Sequence, residues 1–568
     1  MASEYDFIIV GSGPAGSALA YGLAQSEKNP KILLLEAGGP NDDKNLRVDG
    51  QRWVTFLNKD MNWGYKTVPQ EHAANREIDY SRGKGLGGSS AINFGVFTAG
   101  ARGDYDEWAR IVNDDSFDWD HAQARLKQLE AFHTETPAGL DTSQYVAPDP
   151  KDHGASGPLN VGFADEWESD LLPSVNLFEK AGYPLNPDHN SGNPIGASVL
   201  INSAHKGVRS TAADLLKDLS DNVTVKTNSI VQRVILVDRK AVGVEVEGGV
   251  RYMASKEVIL SAGSLDTPRI LMHSGIGPAG QLEKYGIPTV LAVPALGQGL
   301  RDHAFTLVAY KRTPESSSGR PSFYGTQNQA AQDAALEQWK KDGTGPWSKY
   351  ACEMAVGYFK LNESFTSSSE FLALPATEQA YLNHETVPHY EVLTHLPIQW
   401  FIPNLPDEDL DAASFIVFLY NSQARGTVEL QSADPTVPLL FDPKFLENEF
   451  DRRAAIDSLR EVLRLAESPA FAKDTVGTIA APPFNATDEE LLAYWQQTIS
   501  SSWHMTGTAK MSGDKDAVVD KDFRVVGIEG LRIVDMSVVP VLASCHTQSV
   551  AYITGLTAAE KLRKEYCL

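Results

Sequence analysis

A chain of 568 residues exceeds the size at which one hydrophobic core keeps growing, so two large structural units are expected, consecutive or interleaved. With 42% hydrophobic and 22% charged residues the composition is that of a globular protein, and no apolar run approaches the ~20 residues that span a bilayer, which excludes a membrane anchor from the expectations. Fifty Lys and Arg against 74 Asp and Glu leave a formal charge of -24, which repels nucleic acid and anionic lipid. Three cysteines, Cys352, Cys545 and Cys567, allow at most one intramolecular disulfide and do not settle the compartment.

The opening MASEYDFIIVG passes from polar residues directly into a strand-like run, with no signal peptide. The expectation is an extracellular protein whose leader lies outside this numbering, or else an intracellular one. Three N-x-S/T sequons, at Asn222, Asn362 and Asn485, are about as many as chance supplies. Tyr5 to Val10 reads as a strand, GSGPAG as a glycine turn, the Ala/Leu-rich stretch through Gln25 as a helix, and KILLLEAGG from Lys31 as a second strand. That βαβ unit carries G-x-G-x-x-G at Gly11, Gly13 and Gly16: a tight turn, a backbone approach to pyrophosphate, and close packing of helix on strand. Glu36, twenty residues after Gly16, is placed to accept a hydrogen bond from an adenosine ribose, so dinucleotide binding is expected, with NAD(P) and FAD both open.

Further along, GKGLGGSSAINFGVFTAG (Gly83 to Gly100) crowds small residues ahead of Ile92, Phe94, Val96 and Phe97. Backbone N–H groups there can approach an anionic or planar ligand, and a helix opening here would add its dipole. Tyr145 to Asp170 and Asn186 to Pro194 read as loops. From Asn222 several alternating runs read as strands, and KEVILSAGS from Lys256 is another entering a glycine turn. Between about Leu300 and Thr498 the texture changes to serine clusters, scattered aromatics and strand-like runs such as FIVFLYNSQARGTVEL, a second unit. LRIVDMSVVP reads as a strand, and Ser549 to Tyr566 as a closing helix.

On these motifs the sequence resembles the FAD-dependent glucose-methanol-choline (GMC) oxidoreductases. One signature runs from Gly83 through Leu86, Gly87, Gly88, Ser89, Ser90, Ile92 and Asn93 to Phe97, Gly100 and Asp106. The other is GSLDTPRILMHSGIG, with Gly263, Ser264, Thr267, Pro268, Ile270, Leu271, Ser274, Gly275, Ile276 and Gly277. VPALGQGLRDH, ending at His303, and the last seventy residues look similar too, whereas Tyr310 to Leu410 resembles the family least. The resemblance implies an α/β fold: a doubly wound, Rossmann-like FAD-binding domain (residues 1–155, 204–300 and 499–568) interleaved with a substrate domain of antiparallel sheet flanked by helices (156–203 and 301–498). It also implies FAD contacts at Gly11, Ser12, Gly13, Gly16, Glu36, Arg82, Gly88, Ser89, Asn93, Val231, Asp535, His546 and Gln548.

By the same resemblance His504, in WHMTGTAKM, is the general base that takes the hydroxyl proton of an alcohol while a hydride passes to flavin N5, and His546, in SCHTQS, is its partner. Imidazole suits the task because its ordinary pKa lies near working pH. A zinc site of His504, Cys545 and His546 competes, but adjacent Cys and His diverge in an extended chain and no fourth ligand has metal-like spacing, so no metal is expected. Ile92 stands where some members carry a histidine bonded to the flavin, so FAD is expected to be non-covalent. His546 in place of Asn leans toward the glucose- and aryl-alcohol-type members. Trp63, Tyr65, Phe94, Phe97, Trp400, Phe401, Tyr420 and Asn421 are candidate pocket residues, and an aromatic or bulky alcohol is the expected substrate, with oxygen or another acceptor taking the electrons. The alternatives are a redox-neutral, hydroxynitrile-lyase-like enzyme of the same fold, an NAD(P)-dependent reductase, and a non-catalytic flavoprotein.

Overall fold

The computed structural model describes residues 5–164, 166–319, 323–349, 354–394, 398, 401–402, 405 and 410–568. Two seven-stranded sheets organise the chain. The first grows from the opening βαβ unit. Tyr5–Val10 is nearly all buried, as a central parallel strand requires, and Ile32–Leu35 pairs with it in parallel, Phe7 opposite Ile32 through Val10 opposite Leu35. Val223–Lys226 extends the sheet beyond Ile32–Leu35; Arg251–Leu260 and then Leu531–Ile533 extend it on the other side, all parallel. The early residues of Arg251–Leu260 pair antiparallel with Lys240–Val246, which pairs with Val231–Val237.

The helix Pro14–Ala24 crosses between the first two strands, with Pro14 in its first turn. Its approach depends on glycine. Gly11 has φ +102°, and a Cβ on Gly16 would stand 2.0 Å from the Gly11 carbonyl oxygen. The C-terminal helix Gln548–Glu565 packs on Pro14–Ala24, and a Cβ on Gly555 would meet the Ala15 carbonyl at 2.2 Å.

The second sheet is antiparallel, in the order Thr475–Ala480, Ala304–Arg312, Ala412–Leu419, Tyr390–Thr394, Ala355–Phe359, Gly196–Val199, with Ser500–Ser501 also paired to Ala304–Arg312. Its register sorts side chains cleanly. Phe305 lies opposite Phe418, Leu307 opposite Ile416, Leu393 opposite Ile416 and Glu391 opposite Phe418, so these share one face. Tyr390, Val392, Phe415 and Val417 share the other, in a separate core cluster, and the helices Glu449–Glu467 and Leu171–Lys180 pack against this sheet. Glu449–Glu467 is capped by Asn448 and buries Phe450, Leu459, Val462, Leu463 and Ala466 at helical spacing.

Several sequence expectations are corrected. Gly83 to Gly100 opens no α-helix; it holds a single 3-10 turn, Gly88–Ala91, preceded by left-handed glycines. The loop region 145–170 contains a strand, Leu159–Gly162, paired with Glu130–His133. The helices that the resemblance implies in the second unit are present as Gln329–Asp342, Glu449–Glu467 and Asp488–Thr498, in a region whose local texture shows serine clusters and strand-like runs. Strand Ser500–Ser501 pairs with the second sheet although it lies past residue 498, the expected end of the substrate domain. Cys352 lies outside the described residues. No helix among the described residues is long and apolar enough to cross a membrane.

Candidate active site

One cavity, about 1900 Å³ including its open mouth, runs from the first glycine turn to the two C-terminal histidines. Gly11, Gly13, Glu36, Arg82, Gly88, Ser89, Asn93, Val231, Asp535, His504, His546 and Gln548 all line it, although they come from seven separate stretches of sequence. Ser12 and Gly16 support it from behind. The Ser12 N–H and hydroxyl both donate to Glu36 Oε2, at 3.0 and 2.7 Å, while Glu36 Oε1 accepts from the Gly38 and Gly85 N–H groups, each at 2.9 Å. This buried carboxylate therefore ties the first glycine turn to the second one. The turns also touch directly: a Cβ on Gly88 (φ +52°) would lie 2.6 Å from the Gly13 Cα.

Asn93 is fixed by two buried guanidiniums. Arg52 donates to its side-chain oxygen at 2.9 Å and Arg209 donates to its carbonyl, while Arg52 is itself paired with the buried Asp49. Asp535 Oδ2 accepts from the Gly263 N–H at 2.9 Å and the Thr267 hydroxyl at 2.6 Å, which joins the strand Leu531–Ile533 to the helix that carries the second signature. Gln548 and Ser549 do not cap the last helix, whose N-cap is Thr547. Their side chains donate instead to the carbonyls of Val96 and Thr98, both at 2.6 Å, and so stitch that helix to the Gly83–Gly100 segment.

The histidine end is more elaborate than the sequence suggested. The rings of His504 and His546 stand 4.8 Å apart at 81°. His546 Nε2 lies 3.2 Å from both oxygens of Glu391, a fully buried carboxylate that also accepts from the Tyr420 hydroxyl. His504 Nδ1 lies 3.0 Å from Nδ1 of His303, one ring donating and the other accepting. His303 closes the motif VPALGQGLRDH, so position alone could have drawn it in. Glu391 had no such signal beyond a carboxylate in an otherwise apolar alternating run.

Burial, reinforced by the neighbouring histidines, holds His504 and His303 well below the ordinary histidine pKa, so both rings are neutral at neutral pH. The chain reaches His504 through Trp503, a bulky residue at φ +60°, a conformation that costs roughly 1–3 kcal/mol and persists only where the surroundings impose it. Arg82 donates to the Trp503 carbonyl at 2.5 Å and to Ser89 Oγ at 2.6 Å.

Histidine burial also shapes the stability of the fold. His189, His273 and His389 are held down at about 4, mainly by burial. Below pH ~6.5 the unfolded chain therefore binds protons that the native state refuses, and stability falls with falling pH. His153 runs the other way: burial lowers it, but Asp188 and Glu130 on either side outweigh burial and place it at about 9, so its contribution is complete below ~6.5 and disappears as pH rises through about 9. Thermal scans are expected to place the stability maximum between these limits, and a melting temperature still rising below about pH 6 contradicts this account.

The expected pocket residues divide. Trp63, Phe94 and Phe401 line the cavity. Phe97 does not: it is fully buried in the main core. Tyr65 donates to Asp266 behind the wall, Tyr420 points into Glu391, and Asn421 accepts from Tyr381 and donates to the Pro388 carbonyl. The aromatic pattern marked these positions, but their polar ends are used internally. Trp400 lies outside the described residues. Residues not anticipated on the wall are Phe56, Phe305, Leu393, Ile416, Phe418 and Trp503. Among the described residues one trio of metal-capable groups stands together, His133, Glu135 and His205, with its two imidazole rings stacked at 3.5 Å.

These residues fit an FAD. Two glycine turns without side chains form one end, and two buried polar atoms of residues on the cavity wall, Ser261 Oγ and Gln548 Oε1, have no protein hydrogen-bond partner. Comparison with known proteins agrees. The N-terminal part of the GMC oxidoreductase family matches residues 5–305 and its C-terminal part residues 422–555. A pyranose dehydrogenase of Agaricus campestris is 31% identical across 99% of this chain and 94% of its own length. Patulin synthase of Penicillium expansum is 28% identical, across 99% and 91%. A formate oxidase of Aspergillus oryzae, solved in a study of FAD modification, superposes with a TM-score of 0.88 over 100% of this chain and 99% of its own, at 26% identity. A fungal aryl-alcohol oxidase shares the fold at TM-score 0.85 and 24% identity, with both chains fully covered. The chain thus belongs to the GMC oxidoreductase family, as an FAD-dependent enzyme acting on CH–OH donors.

Proposed function

We propose that the enzyme oxidises an aromatic or bulky apolar alcohol to the carbonyl compound, with His504 as the base and His546 as its partner. One observation carries the substrate class. Every described residue that the second sheet brings to the cavity is apolar: Phe305, Leu393, Ile416 and Phe418, joined by Phe401 from the adjoining loop. A pyranose ring would leave several hydroxyls unpaired against that wall, whereas an aryl or alkyl group gains from burial there.

Burial keeps the His504 ring unprotonated, so it has a lone pair free to accept the hydroxyl proton. His546, held by Glu391, is oriented to hydrogen-bond the substrate oxygen as charge develops on it. FAD, when bound, supplies the hydride acceptor, and Gly11, Gly13, Glu36, Arg82, Gly88, Ser89, Asn93, Val231, Asp535, His546 and Gln548 would hold it, with Ser12 and Gly16 shaping the turn. Ile92 is buried beside Asn93 and offers no nucleophile, which supports non-covalent attachment. Exposed sequons at Asn362 and Asn485 are compatible with an extracellular setting.

Anaerobic mixing with a panel of alcohols tests this reading. Benzylic and long apolar alcohols are expected to bleach the flavin at least ~10-fold more efficiently than pyranoses, a difference of ~1.4 kcal/mol in transition-state binding. A preference for sugars defeats the substrate class. Cyanide release from a hydroxynitrile without bleaching indicates the lyase alternative, and reoxidation in air against an artificial acceptor separates oxygen from other electron acceptors.

A further inference from the structure

We propose that Asp302 is a positioning residue for His504, gripping the backbone of the base from behind the cavity wall while its neighbour His303 grips the ring. The assignment rests on His504 being the base.

Asp302 is buried and does not line the cavity. Its Oδ1 accepts the His504 N–H at 2.8 Å, and its Oδ2 accepts the Ser501 hydroxyl at 2.5 Å. Ser501 Oγ in turn accepts the Trp503 N–H at 2.9 Å, so one carboxyl reaches both flanks of the left-handed residue. The adjacent His303 carbonyl accepts the Ser502 N–H and hydroxyl, at 3.0 and 2.7 Å. Pairing of Ala304 with Ser501 and Phe305 with Ser500 fixes the height of the whole arrangement. Removing the carboxyl takes the acceptor from the His504 N–H and the Ser501 hydroxyl, which loosens the Trp503 turn, although Arg82 and Asp79 still hold its carbonyl and indole N–H, and lets the His504 ring turn.

Tyr80, Arg82, Ser501 and His504 face this carboxyl, His303 adjoins it, and a small cavity behind separates it from Asp451, which Arg301 and Arg425 face. Burial pushes Asp302 up to about 7, against the pull of those donors and of Arg82. Its ionised form holds the N–H and O–H donors more firmly than its neutral form, so the grip tightens as pH rises through that value.

Stopped-flow flavin reduction across about pH 5.5 to 9, with saturating and sub-saturating alcohol, tests the proposal on FAD-loaded wild type, Asp302→Asn, Asp302→Ala and His504→Ala. Asp302→Asn keeps the Oδ1 acceptor and removes the titration. It is expected to retain FAD and alcohol affinity but lose the pH-dependent step near 7. Asp302→Ala is expected to reduce at least ~10-fold more slowly at every pH. It is also expected to exchange amide hydrogens faster in a peptide covering Ser501 to Met505. A wild-type pH profile in Asp302→Asn, or wild-type reduction and exchange in Asp302→Ala, overturns the proposal. If His504→Ala reduces at the wild-type rate, the base assignment itself fails; if it is slow while the Asp302 variants match wild type, only the grip fails.

Discussion

Replacing His504 by Ala is expected to leave FAD bound and to slow flavin reduction by at least ~10²-fold, the lower end of what loss of a general base costs. The ring lines the cavity and its hydrogen bond goes to His303, so its loss leaves the groups proposed to hold the dinucleotide end untouched. What disappears is the neutral ring proposed as the base, together with the partner of His303 Nδ1. His546 remains 4.8 Å from where that ring stood, and its bond to Glu391 keeps it oriented, so some residual reduction should survive. The measurement is the anaerobic decay of flavin absorbance after mixing with alcohol. An unchanged rate removes His504 from the base role.

Gly16→Ala should be the most damaging single methyl group in the first domain. The new Cβ would lie 2.0 Å from the Gly11 carbonyl and 3.1 Å from Ser261 Cβ, and the obstacle is backbone in a left-handed turn at the cavity wall. Overpacking of this kind costs typically 1–3 kcal/mol or more, and here the turn that moves is the one proposed to face pyrophosphate. The expected result is protein that purifies largely without yellow colour, or melts several degrees lower. Gly39→Ala is the control, since nothing lies within 4 Å of its Cβ position. Equal flavin content in the two variants would falsify the close-packing account.

The parts of the fold that could be read from sequence are those whose cause is local. Tyr5–Val10, the Gly11 to Gly16 turn and the strands after Asn222 announce themselves through β-branched runs and obligatory glycines, and the structure places the strands in one sheet with the turn leading into the helix Pro14–Ala24. Two histidines in glycine- and threonine-rich segments became a pair only through the family signatures, and the cavity does bring them together. What escaped notice depends on contacts between distant stretches. Glu391 is a charged residue in a buried strand, and its meaning lies in His546, 155 residues away. Asp302 and Arg52 read as unremarkable charges until their buried partners are seen. Phe97, Tyr420 and Asn421 show the reverse: an aromatic or amide near the right motif suggests the pocket, whereas packing or an internal partner claims the side chain. The helices Glu449–Glu467 and Asp488–Thr498 carry helical spacing and capping residues, and the resemblance implies helices beside the second sheet without placing these two.

The alternation of the strand Tyr390–Thr394 has a consequence for how this pocket is able to diversify. Glu391 and Leu393 share the cavity face because successive residues of a strand point to opposite sides, and Tyr390 and Val392 face the helices. Inserting or deleting one residue ahead of this strand would exchange the two sets. It would withdraw the carboxylate from His546 and push a tyrosine and a valine toward the cavity. The shape of the cavity wall is therefore open to point substitution at Leu393, Ile416 and Phe418 but closed to length variation in the same strands. The count of residues between turns is, in that sense, part of what shapes the cavity.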